Sequence, residues 1–307
     1  KYRYLSYDLD RHNNFKEQAP DAGAPMINLD AGLFFDRDTE LFGNSMVQTL
    51  EPRLYYLYSK YQDQTGNPDF DSAELTFTYN QLFRETRFSG RDRIDDSDQL
   101  SVGITTRFID QEDGREEFNA SLGQIFYFRD REVRLGRKDP ALASGGSEVA
   151  GELSFFPNER LSARTSVVWD PYSDKVNSGN FFTSYQRDNG SIYNVGYTYR
   201  RPLTTVITTQ PPTEEAHFSF YVPTSQNWSV FAAVNYSIEA GESVEDMFGV
   251  EYDTCCWKVR LLHLRYFDNT AGENPGFIDP TLEREDSTQV QIVLKGMGGV
   301  GSRASGI

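Results

Sequence analysis

The chain has 307 residues, a net charge of -16, 38% hydrophobic residues and a mean hydropathy of -0.59. That acidic balance offers no basic face to a nucleic-acid backbone, so a nucleic-acid partner is excluded. No apolar run reaches about 18 residues, so there is no transmembrane helix, and 22 Phe and 18 Tyr are too many for a disordered chain.

Low mean hydropathy still admits a membrane, because barrel strands alternate lipid-facing and lumen-facing residues. No signal peptide precedes Lys1 and the chain opens on strand-like residues, which reads as a mature fragment lacking its N-terminal part.

Period-two alternation recurs from end to end. A weak strand spans 2–7, a polar stretch covers 9–25, and a strand follows near 26–36. The run 46–60 carries Pro52, a position that cannot donate to a ladder, and the aromatic stretch 53–58. Residues 74–80 alternate Leu75, Phe77 and Tyr79 against Glu74, Thr76, Thr78 and Asn80, which predicts another strand. A charged connection, 81–97, comes next. Strands near 98–110 and 115–129 precede a second long connection, 130–147.

Strands near 148–156 and 161–170 meet at 157–160, and 177–187 and 191–200 meet at Asp188-Asn189-Gly190, a hairpin signal. A proline-bearing loop, 201–213, precedes the alternating run 227–237. After the turn 253–256 comes a strand whose phase slips at Leu261-Leu262. One bulge there brings Lys258, Arg260, His263 and Arg265 onto the polar face. The last strand, 287–297, sets Val290, Ile292 and Leu294 against Gln289, Gln291 and Lys295.

The total is about fifteen strands of roughly 8–13 residues and no convincing helix, a length that suits strands tilted across a bilayer. Short turns interleave with the long connections 81–97, 130–147, 201–213 and 268–286. Segregated loop lengths mark a transmembrane antiparallel outer-membrane β-barrel, and the whole chain, 1–307, reads as a C-terminal portion of one. Cys255 and Cys256 are the only cysteines. Neighbouring cysteines rarely bond each other, because a disulfide wants its Cα atoms further apart than one peptide step. The residues alone leave two readings open: idle thiols, or thiols whose partners lie outside the chain.

Several stretches resemble the LPS-assembly outer-membrane protein family, LptD. They are 30–38 (DAGLFFDRD), 48–58 (QTLEPRLYYLY), 70–72, 82–84, 88–94 (FSGRDRI), 123–128 (GQIFYF) and the Cys255-Cys256 pair. The resemblance implies a barrel that inserts LPS into the outer leaflet of the Gram-negative outer membrane. It implies an LptE-type lipoprotein plug inside the barrel and a periplasmic β-jellyroll, absent here, that receives LPS from the periplasmic bridge proteins. It further implies a lateral gate at the last strand, 287–297, and disulfides from Cys255 and Cys256 to cysteines outside this chain.

A barrel strand that ends in the periplasm places 253–256 there too, an oxidising compartment. The same parity puts 81–97, 130–147 and 201–213 outside, and leaves 9–25 and 61–71, inconveniently long, in the periplasm. Gln289, Gln291 and Lys295 are candidates for the lumen side of the gate, or ordinary lumen residues. Arg84, Arg87, Arg91, Asp92 and Arg93 are candidates for a loop folded into the lumen or touching the lipoprotein, or a solvated surface.

No catalytic residue, metal or cofactor is expected. Gly296–Gly301 matches GxGxxG, but too few residues follow for a helix. His12, His217 and His263 lack metal-ligand spacing. The competing readings are a porin-like or substrate-specific channel, which leaves the cysteines unexplained, and an outer-membrane hydrolase, for which His263 is the only thread.

Overall fold

Alternation of this kind builds an antiparallel sheet, because each strand can hide only one of its faces. The computed structural model describes residues 1–9, 19–41, 43–135, 143–201, 212–267, 284–295 and 298–300. Among them the first half of the chain supplies β1 (Tyr2–Ser6), β2 (Asp21–Gly32), β3 (Phe35–Leu41), β4 (Asn44–Ser59), β5 (Ser97–Asp110), β6 (Glu116–Tyr127), β7 (Gly145–Asn158) and β8 (Leu161–Asp170). The second half supplies β9 (Lys175–Gln186), β10 (Ile192–Arg200), β11 (Thr213–Pro223), β12 (Trp228–Ser237), β13 (Glu242–Asp253), β14 (Trp257–Phe267), β15 (Arg284–Leu294) and β16 (Gly298–Val300). They hydrogen-bond in chain order, except that β3 pairs only with β4. The expected all-β antiparallel class is what the chain adopts.

β2 and β3 together replace the strand expected at 26–36. Gly32 pairs with Arg53 and Phe35 with Leu50, the same register on either side of the gap. Leu33 N–H still donates to Pro52 O at 3.0 Å. Pro52 has no N–H to return, so the ladder lapses for one step within a single continuous strand.

The chain divides into two compact units, Lys1–Leu153 with Ser166–Val176, and Ser154–Thr165 with Asn177–Ile307. In the first, Leu54, Val102, Ile104, Leu122 and Phe126 are exposed on one face of β4–β6. Leu57, Ser97, Gln99, Ser101, Thr105 and Ile125 are buried on the other. In the second, Val195, Phe218, Val234, Phe248, Val250, Leu261, Val290 and Ile292 are exposed. Their face ends, beside the 254–256 turn, in a row of rings: Trp228–Tyr252 centroids lie 4.9 Å apart and Tyr252–Trp257 5.4 Å. An apolar face this continuous forgoes about 2 kcal/mol per large side chain in water, and an aromatic row at its rim suits a membrane interface.

Four expectations change. First, 74–80 is not a sheet strand. Its extended part hydrogen-bonds locally, Leu75 N–H to Arg87 O and Ser89 N–H to Ala73 O, and Tyr79–Phe83 forms a 3-10 helix. One connection, 60–96, therefore joins β4 to β5. Second, the parity of everything before it reverses. Among the described residues, one end of the first unit carries only short links, from β3 to β4 and at 111–115, while the longer connections from β1 to β2, from β4 to β5 (60–96) and from β6 to β7 all leave from the other end. One end of the second unit likewise carries only short turns, at 159–160, 187–191, 224–227 and 254–256.

Third, β14 has no bulge. It pairs with β13 and β15 without a register shift, so His263 and Arg265 share the face of Leu261, opposite Lys258 and Arg260. Leu262 turns instead to the polar face, where it is buried with Phe231 and Met247. Fourth, the last long strand is 284–294. β16 pairs with its far edge only over Ile292–Leu294, and its Gly298–Val300 is strand rather than the start of a helix. Gly296, Met297 and Gly301 lie outside the described residues, as do His12 and most of the 201–213 and 268–286 connections.

Candidate functional site

Two places gather the candidate residues. One is the polar face of the first unit. Gly103 and Gly123 sit opposite each other on β5 and β6 and leave a socket there. A Cβ at Gly103 would stand 2.6 Å from Phe83 Cζ, and one at Gly123 would stand 2.6 Å from Leu82 Cδ1. The 3-10 helix fills this socket. Leu82 is fully buried, Tyr79 Oη lies 3.0 Å from Thr105 Oγ1, and Ser101 Oγ donates to Leu82 O. Arg53 stacks over Phe83 at 4.2 Å.

The rest of the connection is tied down by its own charges. Arg87 pairs with buried Asp95 and donates to Val133 O. Asp96 accepts N–H from Glu132 and Val133 at 2.9 and 3.0 Å. Asp92 accepts N–H from Phe70 and Asp71 and the Tyr7 hydroxyl. Arg93 donates to Pro68 O at 2.7 Å and Asp92 O at 2.9 Å. Burial pushes Asp95 up to about 6, against the pull of the Arg87 guanidinium. Burial also raises Asp92, but the N–H groups of Asp71 and Phe70 and the Tyr7 hydroxyl outweigh it and hold the carboxyl below its usual range. Of the five candidates here, Arg87, Asp92 and Arg93 are thus spent on partners within the connection, on Tyr7 and on the backbone of Val133 and Arg134, while Arg84 and Arg91 are exposed.

The other place is the 254–256 turn of the second unit. Cys255 and Cys256 are both exposed and free. Their sulfurs are 2.7 Å apart, well beyond a disulfide bond. That shared hydrogen bond raises the Cys256 thiol above its ordinary value. The turn is held rigid on both sides. Thr254 N–H donates to Trp257 O at 3.0 Å, and Asn227 Nδ2 donates to Asp253 O at 2.6 Å.

Lys295, just past β15, fastens the turn. Its N–H donates to Cys256 O at 2.9 Å and its ammonium to Thr254 O, with Asp253 as ion-pair partner. Sequence reasoning set Lys295 beside Gln289 and Gln291. Those two lie on the polar face, paired with Leu262 and Arg260 in register, whereas Lys295 reaches the turn. Behind the turn lies a group that sequence reasoning missed. Glu251 is fully buried and receives Lys258 at 2.8 Å, Arg260 at 2.5 Å and the Tyr221 hydroxyl at 2.9 Å. The available signal was Lys258 and Arg260 alternating across from an acid two residues before the turn.

Among the described residues no group of His, Cys, Asp or Glu is arranged to hold a metal. A family model described as "LptD: LPS transport system D" matches residues 1–228. The LPS-assembly protein LptD of Xanthomonas euvesicatoria pv. vesicatoria (strain 85-10) is 37% identical over 314 residues, covering 98% of this chain and 37% of that protein. That of Pseudomonas aeruginosa (strain LESB58) is 36% identical over 341 residues, covering 98% of this chain and 36% of its own. The chain thus spans a little over a third of the length of these curated relatives. Likeness to solved structures is loose. The siderophore receptor PirA from Acinetobacter baumannii shares 11% identity over 96% of this chain and 52% of the receptor, at a TM-score of 0.40. By its family match, its relatives and its antiparallel all-β build of the outer-membrane barrel type, the chain belongs to the LptD family.

Proposed function

We propose that residues 1–307 form part of the wall of an outer-membrane barrel that moves LPS into the outer leaflet. The observation that carries this reading is the LptD match across most of the chain, joined to an apolar face backed by a polar one. LPS has fatty and hydrated sugar ends. A polar lumen passes the sugar while the acyl chains stay in lipid, and a weakly paired strand edge connects the two. The edge of β15, paired with β16 over only three residues, suits that gate, with Gln289 and Gln291 on its lumen side.

The exposed Cys255 and Cys256, on an end of short turns, suit disulfides to cysteines elsewhere in the full-length protein, in the oxidising periplasm. Lys295 then acts as the brace of that turn rather than as a gate residue. Arg84 and Arg91, exposed on the folded connection, are the side chains left to meet an LptE-type lipoprotein plug. LPS reaches the barrel through the periplasmic bridge proteins and the rest of the protein.

The test is depletion of the full-length protein in its native host, followed by assay of surface LPS and of ion conductance by the purified barrel with its lipoprotein. The reading expects LPS to fail to reach the surface and little conductance. Normal surface LPS together with open conductance would replace it with a porin-like channel.

A further inference from the structure

The exposed apolar face of the second unit is not of even height. Both β12 and β14 rise from short turns at the same end, 224–227 and 254–256. Along β12 that face carries Trp228, Val230, Ala232, Val234 and Tyr236. Its neighbour β11 matches it, with Val222, Phe220, Phe218 and Ala216 paired to the last four. Along β14 the face carries Trp257, Val259 and Leu261, and then His263 and Arg265. β15 repeats the change, with Leu294, Ile292 and Val290 followed by Thr288 and Asp286. β13 turns polar at Asp246, in register with Arg265. At about 3.3 Å per residue, the apolar stripe is about 26 Å long on β12 and about 13 Å long on β14. With strands tilted by about 45°, these stripes stand about 19 Å and about 9 Å tall, against roughly 25 Å for an outer-membrane apolar band. The rings of Trp228, Tyr252 and Trp257 form one row under both stripes, so the difference lies at their far ends.

The groups that cut the stripe short are matched to one another. Arg265 Nη2 donates to Asp246 Oδ2 at 2.8 Å, and Ser243 Oγ donates to the same carboxylate. His263 Nε2 lies 3.7 Å from Asp286 Oδ1, and its Nδ1 lies 3.1 Å from Thr288 Oγ1. Further along β14, Phe267 lies under the Arg284 guanidinium at 5.1 Å. In a bilayer of even thickness these pairs would sit among acyl chains, about 14 to 19 Å above the aromatic row. Long side chains reach water by bending toward the interface, but Asp246, His263 and Asp286 are too short for that. A hydrophobic stretch shorter than the surrounding bilayer is met by thinning of the bilayer. A row that holds both signs of charge suits phosphate and amine headgroups together.

We infer that the outer leaflet dips beside β13 to β15, with lipid headgroups seated on Asp246, His263, Arg265 and Asp286, next to the weakly paired edge of β15. This rests on the LPS-transport reading and adds to it the state of the lipid into which the gate opens. A thinned acyl layer shortens the climb of a hydrated sugar from the lumen to the leaflet surface.

The test is a cryo-electron-microscopy map of the full-length protein with its lipoprotein, in nanodiscs of phosphatidylethanolamine and phosphatidylglycerol. The map shows the spacing of the two headgroup layers around the barrel. Beside β14 the spacing should be about 10 Å less than beside β11 and β12. In D246L/H263L/R265L/D286L, which carries the apolar stripe up to the height of β12, the dip should be lost. Delivery of LPS to the cell surface should then slow, although the barrel assembles with its lipoprotein. The map of the native protein decides the matter even if that variant fails to assemble. Even spacing all round overturns the inference, whether the barrel stands upright or leans, and leaves transport standing where LPS still reaches the surface. A dip that survives the four substitutions overturns its assignment to these side chains. A dip beside a protein that delivers no LPS upholds the lipid contact and overturns the transport reading instead.

Discussion

The polar faces of the two units use glycine in opposite ways. In the first, Gly103 and Gly123 make a socket that the chain fills itself with Leu82 and Phe83. In the second, no connection folds over the glycines: Gly249 is covered by Phe231 of the neighbouring strand, whose ring would lie 2.6 Å from an added Cβ, and Gly196 is flanked by His217 and Phe182 of its own neighbours, at 3.3 and 3.4 Å. A glycine on a half-buried strand marks a place where something approaches the backbone. What approaches depends on the connections. The connection 60–96 is long enough to fold back and carries its own countercharges, so it becomes part of the wall. The turn 254–256 is too short to cover anything, and it presents two thiols instead.

Arg87→Ala should break the covered face most severely. It leaves Asp95, whose side chain is 4% exposed, without its cation, at a cost of about 3 kcal/mol. Tryptic cleavage within 60–96 should rise sharply, while Arg84→Ala, at an exposed position, should change stability by less than about 0.5 kcal/mol. Gly123→Val attacks the socket. Its Cβ meets Leu82 Cδ1 and, at 2.7 Å, Val102 O, so about 2 kcal/mol is expected together with release of the 3-10 helix. Gly151→Ala, with no neighbour nearer than 3.4 Å, is the control that should stay folded and protease-resistant.

On the open face, Glu251→Ala removes the one acid shared by Lys258, Arg260 and Tyr221. It should cost about 2 kcal/mol in thermal unfolding and loosen the cysteine turn, seen as faster thiol alkylation. Smallest is Pro52→Val, which restores the missing donor opposite Leu33. It should add about 1 kcal/mol and slow hydrogen exchange where β2 meets β3.

The strands themselves were legible, because period-two alternation is a local property and most of them carry it cleanly. The stretch 74–80 alternates for the same physical reason, being extended, yet its hydrogen bonds go to 87–89 and not to the sheet. Alternation reports conformation and cannot name the partner. The slip at Leu261-Leu262 reads as a bulge only if both leucines must face lipid. Leu262 instead packs on Phe231 and Met247 above Gly249, an apolar island on the polar face whose existence depends on a neighbouring strand's glycine. The Gly103–Gly123 socket is likewise a fact of register, and register needs the pairing. The cysteine pair was legible as an anomaly, but its brace by Lys295 was not, because 41 residues separate Lys295 from Thr254.

The most direct test is a non-reducing mass-spectrometric map of Cys255 and Cys256 in the full-length protein from native outer membranes. The account predicts that each is joined to a cysteine outside residues 1–307, on the periplasmic side. Two free thiols, or a bond between the two neighbours, would contradict it and return the chain to an ordinary channel wall.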